Sequence, residues 1–484
     1  MTVADVVIVG GGFSGMCTAR ALADGHRKIV ILEALGGSAA TFRGELLHPR
    51  AAEALSRLGL LQPLLREGAM AVEGFAVALD AERPIPLAYA EISGAGAPGL
   101  VMSHPEMVRC LRREVAGRDG VELRMGARVT ELLREHGVVV GVRLATGEEL
   151  RAPLTIVSDG RHSKLRNVVG AAEETRLLSF TAAFLTEPVE LPFERYGHVF
   201  LGAWGPILAY AVAGGRARVC IDLPLDIDKG QHAVLDFVRS DCAPATPEPL
   251  RGAILRALAE RPAELCATHV IKTRRCTAPG VALVGDSGGC AHPLTAGGMT
   301  IALNDVSTLA EELDRAPSIP AALLRYQERR YEFVRARELL VDVLYDLFRR
   351  DDGGARALRR GLSRYWRSGK RARSASLSLL SGRESRSTFF LGEYLAVVGA
   401  SARDVLGGRD AAGLACDRRT AATGLARTTL DQLKQTAKTL YLDHSRRPRS
   451  LRVRGSSLTT KRRRDEASAS PDGGPISQPA KRRT

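Results

Sequence analysis

Three glycines and an acid are the first residues in this 484-residue chain whose types and spacing could do chemistry. Gly10, Gly12 and Gly15 satisfy G-x-G-x-x-G, with Phe13 and Ser14 inside the pattern. Glycines at that spacing let the backbone turn tightly and bring the N–H groups of a helix start against a pyrophosphate, where the helix dipole also favours negative charge. Glu33 falls eighteen residues past Gly15, with Ala34 beside it and Arg43 ten residues further on, and the three are assigned to the same site. A carboxylate there can accept hydrogen bonds from ribose hydroxyls, which selects a dinucleotide with an unphosphorylated adenosine ribose, FAD or NAD. The glycine pattern alone is weak in a chain with 49 glycines; the acid at the right distance strengthens it.

The elements that must position these residues are legible around them. "DVVIVGGGFSG" is an apolar strand breaking into glycines, "MCTARALADG" continues it as a helix, and "RKIVILE" is a second buried strand ending on Glu33. Together they make one βαβ unit. Two later segments repeat the device of a strand that closes on an acid before a helix start. In "SDGRHSKLR", Asp159 and Gly160 close a strand, and Ser163 and Arg166 follow on a helical turn. In "VALVGDSGGCAHPLTAGGMTIALND", Gly285 and Asp286 close a strand, Pro293 follows, and Gly297, Gly298 and Met299 open a helix. The second supplies a carboxylate for hydroxyl groups and then exposed N–H groups that can stabilise negative charge near a flavin's pyrimidine edge. A less regular β-rich stretch from about Leu177 to Val219 predicts a second sheet, and Thr300 to about Leu442 reads as largely helical, with joints at Pro317 and Pro320.

"SDGRHSKLR" resembles the Asp-Gly motif of flavoprotein hydroxylases, which chooses FAD over NAD. "HPLTAGGMTIALND", His292 to Asp305, closely resembles the signature of the squalene monooxygenase (squalene epoxidase) family, in which His-Pro-Leu-Thr leads into two or three glycines, Met and Thr. "GELLHP", "APLTIVSDGRHSKLR", "GPILAYAV" and "VDVLYDLFRRDD" extend the likeness over roughly residues 5 to 400. The resemblance implies an α/β fold: a Rossmann-like FAD-binding domain of glutathione-reductase/hydroxylase type, an inserted mixed β-sheet substrate domain and a C-terminal helical region. It implies a flavoprotein monooxygenase that epoxidises squalene to 2,3-oxidosqualene through a flavin C4a-hydroperoxide, in sterol or triterpenoid synthesis. NADPH would be the electron source, through a separate reductase. The alternatives are an FAD monooxygenase for another apolar or secondary-metabolite substrate, or an isoprenoid-chain reductase. The sequence departs from the family pattern at His48, where Gln is usual, at Phe75, where Tyr is usual, and at Glu106 or His104, where Arg is common.

Epoxidation of an isolated alkene removes no substrate proton, so no catalytic acid or base is sought; the protein must exclude water and hold the alkene over the ring. An apolar tunnel is expected. Its candidate walls are Leu47, Phe75, Phe184, Phe200, Trp204, Leu208 and Tyr210, with His292 and Leu294 from the family motif. Only alternate residues of a strand face one side, so about half of the strand-borne candidates should be ordinary core. The domain expectation is a discontinuous FAD-binding domain over 1–170 and 270–315, a sheet domain over 171–269 with part of 70–100, a helical region over 316–442 and a disordered tail over 443–484.

Composition bounds the partners. Hydrophobic residues at 45% and charged residues at 25% are those of an ordinary soluble protein, and the eight cysteines are scattered with no C-x-x-C pair, so reduced thiols and no metal site are expected. The net charge of +15 is concentrated in a terminal stretch rich in Ser, Pro and Gly. No folded recognition motif accompanies that charge, so nucleic acid is not an expected partner. Attraction to anionic lipid and a merely solubilising role remain as its two uses. The chain enters an apolar strand within a few residues of Met1, leaving no room for a signal peptide, so a cytoplasmic location is expected. Peripheral membrane contact through the C-terminal helices and the tail stays open, with "STFFLGEYLAVVGA" (387–400) able either to dip into a bilayer interface or to pack on the body.

Overall fold

Runs of valine and isoleucine without alternation must be buried on both faces, and that is where they lie. In the computed structural model, Leu154–Val157, Val6–Val9 and Ile29–Glu33 occupy the middle of a six-stranded sheet. Thr277–Ala278 and Val281–Leu283 flank them on one side and Val121–Met125 on the other. All neighbours are parallel except Thr277–Ala278 against Val281–Leu283. Helix α1 (Phe13–Leu22) follows Val6–Val9 and packs beside α2 (Gly298–Arg315). The structure describes residues 2–37, 44–79, 82–94, 97–202, 204–273, 275–350, 352–407, 422–434 and 437. The chain separates into 1–436 and 437–484, and the first of these is described here; Arg43, Cys416 and the basic tail lie outside the described residues.

The second sheet has seven strands. Their order is Glu264–Thr273, Ala172–Pro188, Arg216–Leu223, Pro206–Ala211, Tyr196–Leu201, Gly74–Leu79 and Ile85–Ala88. Neighbours are antiparallel except Tyr196–Leu201 beside Gly74–Leu79, which run parallel. Strand parity gives its two faces different partners. Phe184, Phe200, Ile207, Val219 and Ile221 pack with Val234, Ile254 and Leu258 of the helices Gln231–Phe237 and Leu250–Glu260. Phe75, Val77, Leu201 and Tyr210 turn the other way, toward the C-terminal helices.

Those helices are α3 (Ile319–Arg349), α4 (Gly353–Arg367), α5 (Lys370–Ser381) and α6 (Ser387–Gly407), followed by helix over 422–434. The predicted proline joint is real: α2 ends at Arg315 and Pro320 sits in the first turn of α3, where its missing N–H costs nothing. Asp352 caps α4, its Oδ1 accepting from the N–H groups of Gly354 (3.0 Å) and Ala355 (3.1 Å). The run 387–400 falls in α6, with Phe390, Val397 and Ala400 buried and Leu395 exposed. Among the described residues no helix is long and apolar enough to cross a membrane.

Candidate active site

Two strand ends and two helix starts converge on a cavity of about 750 Å³. At the first, Gly10 has φ +105°, and a Cβ there would fall 2.5 Å from the Ser158 carbonyl oxygen. Gly15 lies directly behind: a Cβ on it would fall 1.9 Å from the Gly10 carbonyl oxygen. Gly12 caps α1 without a side-chain hydrogen bond and faces open space, so the N–H groups of that helix start are free for an anion. The second start, at α2, has Gly297 as its cap, again with no side-chain partner and no acid in its first turn.

Glu33 is held ready at the edge of this cavity. Its Oε2 accepts from Gly11 N (2.9 Å) and Arg112 Nη2 (3.1 Å), and its Oε1 accepts from Leu35 N (2.9 Å). Arg112 also donates to the Gly11 carbonyl (2.8 Å), so one arginine ties the acid to the glycine turn. Sequence reasoning missed Arg112, because in "PEMVRCLRREVA" it reads as one more basic residue of an amphipathic helix. Arg166 does the same for the two later motifs. Its Nε donates to Ser287 O (2.6 Å), and its Nη2 to Asp286 O (2.7 Å) and Gly160 O (3.2 Å). Behind them Asp305 Oδ2 accepts from Gly285 N and from Arg330 Nε, both at 2.9 Å and both fully buried. Burial pushes the Asp305 carboxyl up, and the Arg330 guanidinium opposes that shift.

Of the predicted cofactor residues, Gly10, Gly12, Phe13, Ser14, Glu33, Ala34, Asp159, Gly160, Asp286, Pro293, Gly297, Gly298 and Met299 line the cavity. Gly15 and Gly285 stand behind the lining, and Arg43 lies outside the described residues. A flavin adenine dinucleotide fits this arrangement by its chemistry: two uncapped helix starts for pyrophosphate and pyrimidine edge, and Glu33, Asp159 and Asp286 for hydroxyl groups. Cys220, Cys266 and Cys290 also line it; burial pushes the thiols of Cys220 and Cys290 up to about 12, which keeps both as unreactive thiols.

The predicted substrate walls divide. Leu208, Tyr210, His292 and Leu294 line the large cavity. Phe75 and Leu294 line a second cavity of about 140 Å³, enclosed by Val77, Leu87, Leu344, Leu362 and Trp366. Val199 and Leu294 line both. Phe184 and Phe200 line neither, because strand parity turns them onto the far face of the sheet. Trp204 is in a turn, its Nε1 donating to Asp222 O (2.8 Å) and its ring against Phe237. Leu47 is one residue out of step: it is buried in the core, while Leu46 faces the large cavity. The four helices supply most of the second cavity's wall, and none of their residues was among the candidates.

Three polar residues of this region are fixed by their partners. Leu294 N donates to His292 Nδ1 (3.1 Å), which assigns the ring proton to Nε2, and Nε2 donates to Asp222 Oδ1 (3.1 Å). His292 thus clamps the turn Pro293–Thr295 to the sheet. The Tyr210 hydroxyl donates to Glu45 Oε2 (3.0 Å), which also pairs with Arg218. His48 is fully buried: Nε2 donates to Thr295 O and Nδ1 accepts from the Tyr89 hydroxyl, both at 2.7 Å. Burial and the nearby Arg337 outweigh the Thr295 bond and bring His48 down to about 4. Phe75 packs on both rings, and the hydroxyl that meets His48 is that of Tyr89. Of the other departures, His104 lines the large cavity and Glu106 is exposed.

Comparison with known proteins agrees with this geometry. Residues 8–59 match the family model described as "NAD(P)-binding Rossmann-like domain". Among solved structures, p-nitrophenol 4-monooxygenase PnpA from Pseudomonas putida DLL-E4 superposes with a TM-score of 0.67 at 20% identity, covering 79% of this chain and 100% of that one. Klebsiella pneumoniae HpxO, solved with FAD and uric acid, gives 0.63 at 21%, covering 82% and 97%; identities this low speak for the fold alone. Squalene epoxidase 2, mitochondrial, from Arabidopsis thaliana is 31% identical over 409 residues, which is 81% of this chain and 69% of that protein. Squalene epoxidase erg1 from Aspergillus fumigatus is 30% identical over 385 residues, 76% and 79%. Residues 151–412 match the family model "Squalene epoxidase", and with these relatives that match establishes that the chain belongs to the squalene epoxidase family.

Proposed function

We propose that this chain is an FAD-dependent monooxygenase that epoxidises squalene to 2,3-oxidosqualene, with the flavin in the large cavity and one part of the hydrocarbon chain in the apolar one. The observation that carries the reading is their junction: Val199 and Leu294 line both, so an alkene leaving the apolar cavity meets the end of the flavin site. Bound FAD, reduced by electrons from NADPH, supplies the activation of dioxygen and the transfer of one oxygen atom. The chain does the rest. Glu33, Asp159 and Asp286 hold the cofactor's hydroxyl groups, and the starts of α1 and α2 hold its anionic and electron-rich parts. Phe75, Leu344 and Trp366 exclude water and take up hydrocarbon, each buried methylene contributing about 0.8 kcal/mol. His292 and His48 position the turn between the cavities through their hydrogen bonds.

In this reading 1–170 and 270–315 bind FAD, 171–269 with strands from 70–100 forms the substrate wall, and 316–442 closes it. All three glycine-and-acid motifs are used by a single FAD, so a separate reductase is the proposed donor, and a cytoplasmic protein touching a membrane peripherally through α6 and the basic tail the proposed setting. The test is conversion: purified protein, FAD, NADPH, a general reductase and detergent-dispersed squalene, extracted and weighed by mass spectrometry. A product heavier by one oxygen, absent with Asp286→Ala, is expected. Flavin that binds and is reduced, with no epoxide formed, would refute squalene as the substrate.

A further inference from the structure

Arg337 is a buried cation in the wall of the large cavity. It is on α3, 3% exposed, and lines the large cavity with Thr295, Gly297 and Gly298. A Cβ on Gly297 would fall 2.7 Å from Arg337 Nη2, so the guanidinium touches the backbone that opens α2. A helix N-terminus carries partial positive charge, and a cation beside it is unfavourable. Arg337 donates to Leu380 O (2.9 Å) and Leu379 O (3.5 Å) in the last turn of α5, whose partial negative charge holds it in place without a carboxylate partner in contact. Arg50, another cation, acts on it, and Glu338 lines the same cavity. Glu53 offsets Arg50 and pairs with Arg383. Asp286 approaches α2 from Gly298, its Oδ1 3.9 Å from where a Cβ would stand. Burial and Arg50 bring Arg337 down only to about 10, so it is charged at neutral pH. Two positive features therefore meet at one wall of the cavity, an arrangement that a bound anion relieves.

We propose that Arg337 is the fixed cation that stabilises negative charge on the pyrimidine ring of the bound flavin, and so raises the ease of its reduction. This rests on FAD occupying the large cavity. Two electrons delivered from NADPH through the reductase, with one proton from solvent, leave the ring with one negative charge over N1 and the C2 oxygen. The start of α2 and Arg337 lie against that charge.

Sulfite reports the same charge without turnover: its sulfur lone pair forms a bond to flavin N5, the ring takes up the electron pair, and the oxidised absorbance bleaches. Three variants are compared with wild type after FAD loading: Arg337→Met, which removes the charge and keeps the length; Arg337→Gln, which keeps a donor for Leu380 O should the methionine variant fail to fold; and Arg337→Lys, which keeps the charge. The neutral variants are expected to bind sulfite at least ten times more weakly, with a midpoint potential lower by about 30 mV for each factor of ten. The lysine variant should stay within threefold of wild type. Equal sulfite affinity in all four proteins, or equal losses in the lysine and neutral variants, would overturn the assignment while leaving FAD binding intact. Wild-type protein that takes up no FAD would overturn both the assignment and the cofactor reading beneath it.

Discussion

The two cavities are built by opposite means. The large one is made of backbone and a few acids at strand ends: Gly10 and Gly12, Asp159, Asp286, Gly297. Each comes from a short strand, turn and helix start whose geometry is fixed locally. The small one is walled mainly by large apolar residues; Phe75 and Val77 come from the sheet, and Leu344, Leu362, Trp366 and Leu377 from α3, α4 and α5. It exists only because four helices pack over one sheet face. A site fixed by backbone tolerates no added atom, whereas a site fixed by packing can adjust, so damage to the first should be all or none for the cofactor and damage to the second graded for the substrate.

The largest expected effect tests the first half of that contrast. Gly15→Ala places a methyl 1.9 Å from the Gly10 carbonyl oxygen, so the turn must open. The FAD dissociation constant, followed by flavin fluorescence, should rise at least a hundredfold, about 2.7 kcal/mol. A variant that still purifies yellow would show that the turn adjusts after all. Leu344→Trp tests the second half by filling the apolar cavity, at about 1–3 kcal/mol of stability. Epoxide formation should fall at least tenfold with FAD affinity changed less than twofold; loss of FAD would mean that the cavities are not independent.

That contrast also sets what could be read in advance. Glu33 and the three glycine motifs were legible because each puts its chemistry within one strand, turn and helix, and the Rossmann-like sheet follows from the same apolar runs. Leu47 was chosen where Leu46 faces the cavity, since a two-residue strand gives no periodicity to set the phase. Phe184 and Phe200 are as apolar as Phe75, and nothing local says which sheet face the C-terminal helices cover. Leu344, Leu362 and Trp366 look like any residues of amphipathic helices, and Arg337 looks like one of many surface arginines until α5 and α2 close around it.

A smaller effect separates positioning from titration in the turn that joins the cavities. His48 is held near 4 against about 6.5 in an unfolded chain. The unfolded state therefore binds the extra proton between those values; the stability is fully present above pH 6.5 and is lost as pH falls toward 4. His48→Gln keeps an acceptor for Tyr89 and a donor for Thr295 but cannot titrate. Urea unfolding of the FAD-loaded proteins should show the variant losing about 2 kcal/mol less than wild type between pH 6.5 and 4.5. Equal losses would mean that His48 is not the group that titrates.

The smallest effect sets the two faces of one sheet against each other. Phe75 and Phe184 are both buried, at 4% and 8% exposure, and Phe→Leu removes the same atoms from each at a cost of about 1 kcal/mol. Only Phe75 borders the apolar cavity. Phe75→Leu should lower kcat/KM for squalene severalfold, mainly through KM, because it reshapes a wall that the hydrocarbon touches. Phe184→Leu should leave kcat/KM within twofold, since its packing partners are the helices on the far face. Steady-state rates on matched, fully FAD-loaded proteins decide it. If the two substitutions are equivalent, substrate binding responds to sheet rigidity and not to the lining, and the distinction between the cavities reduces to the cofactor alone.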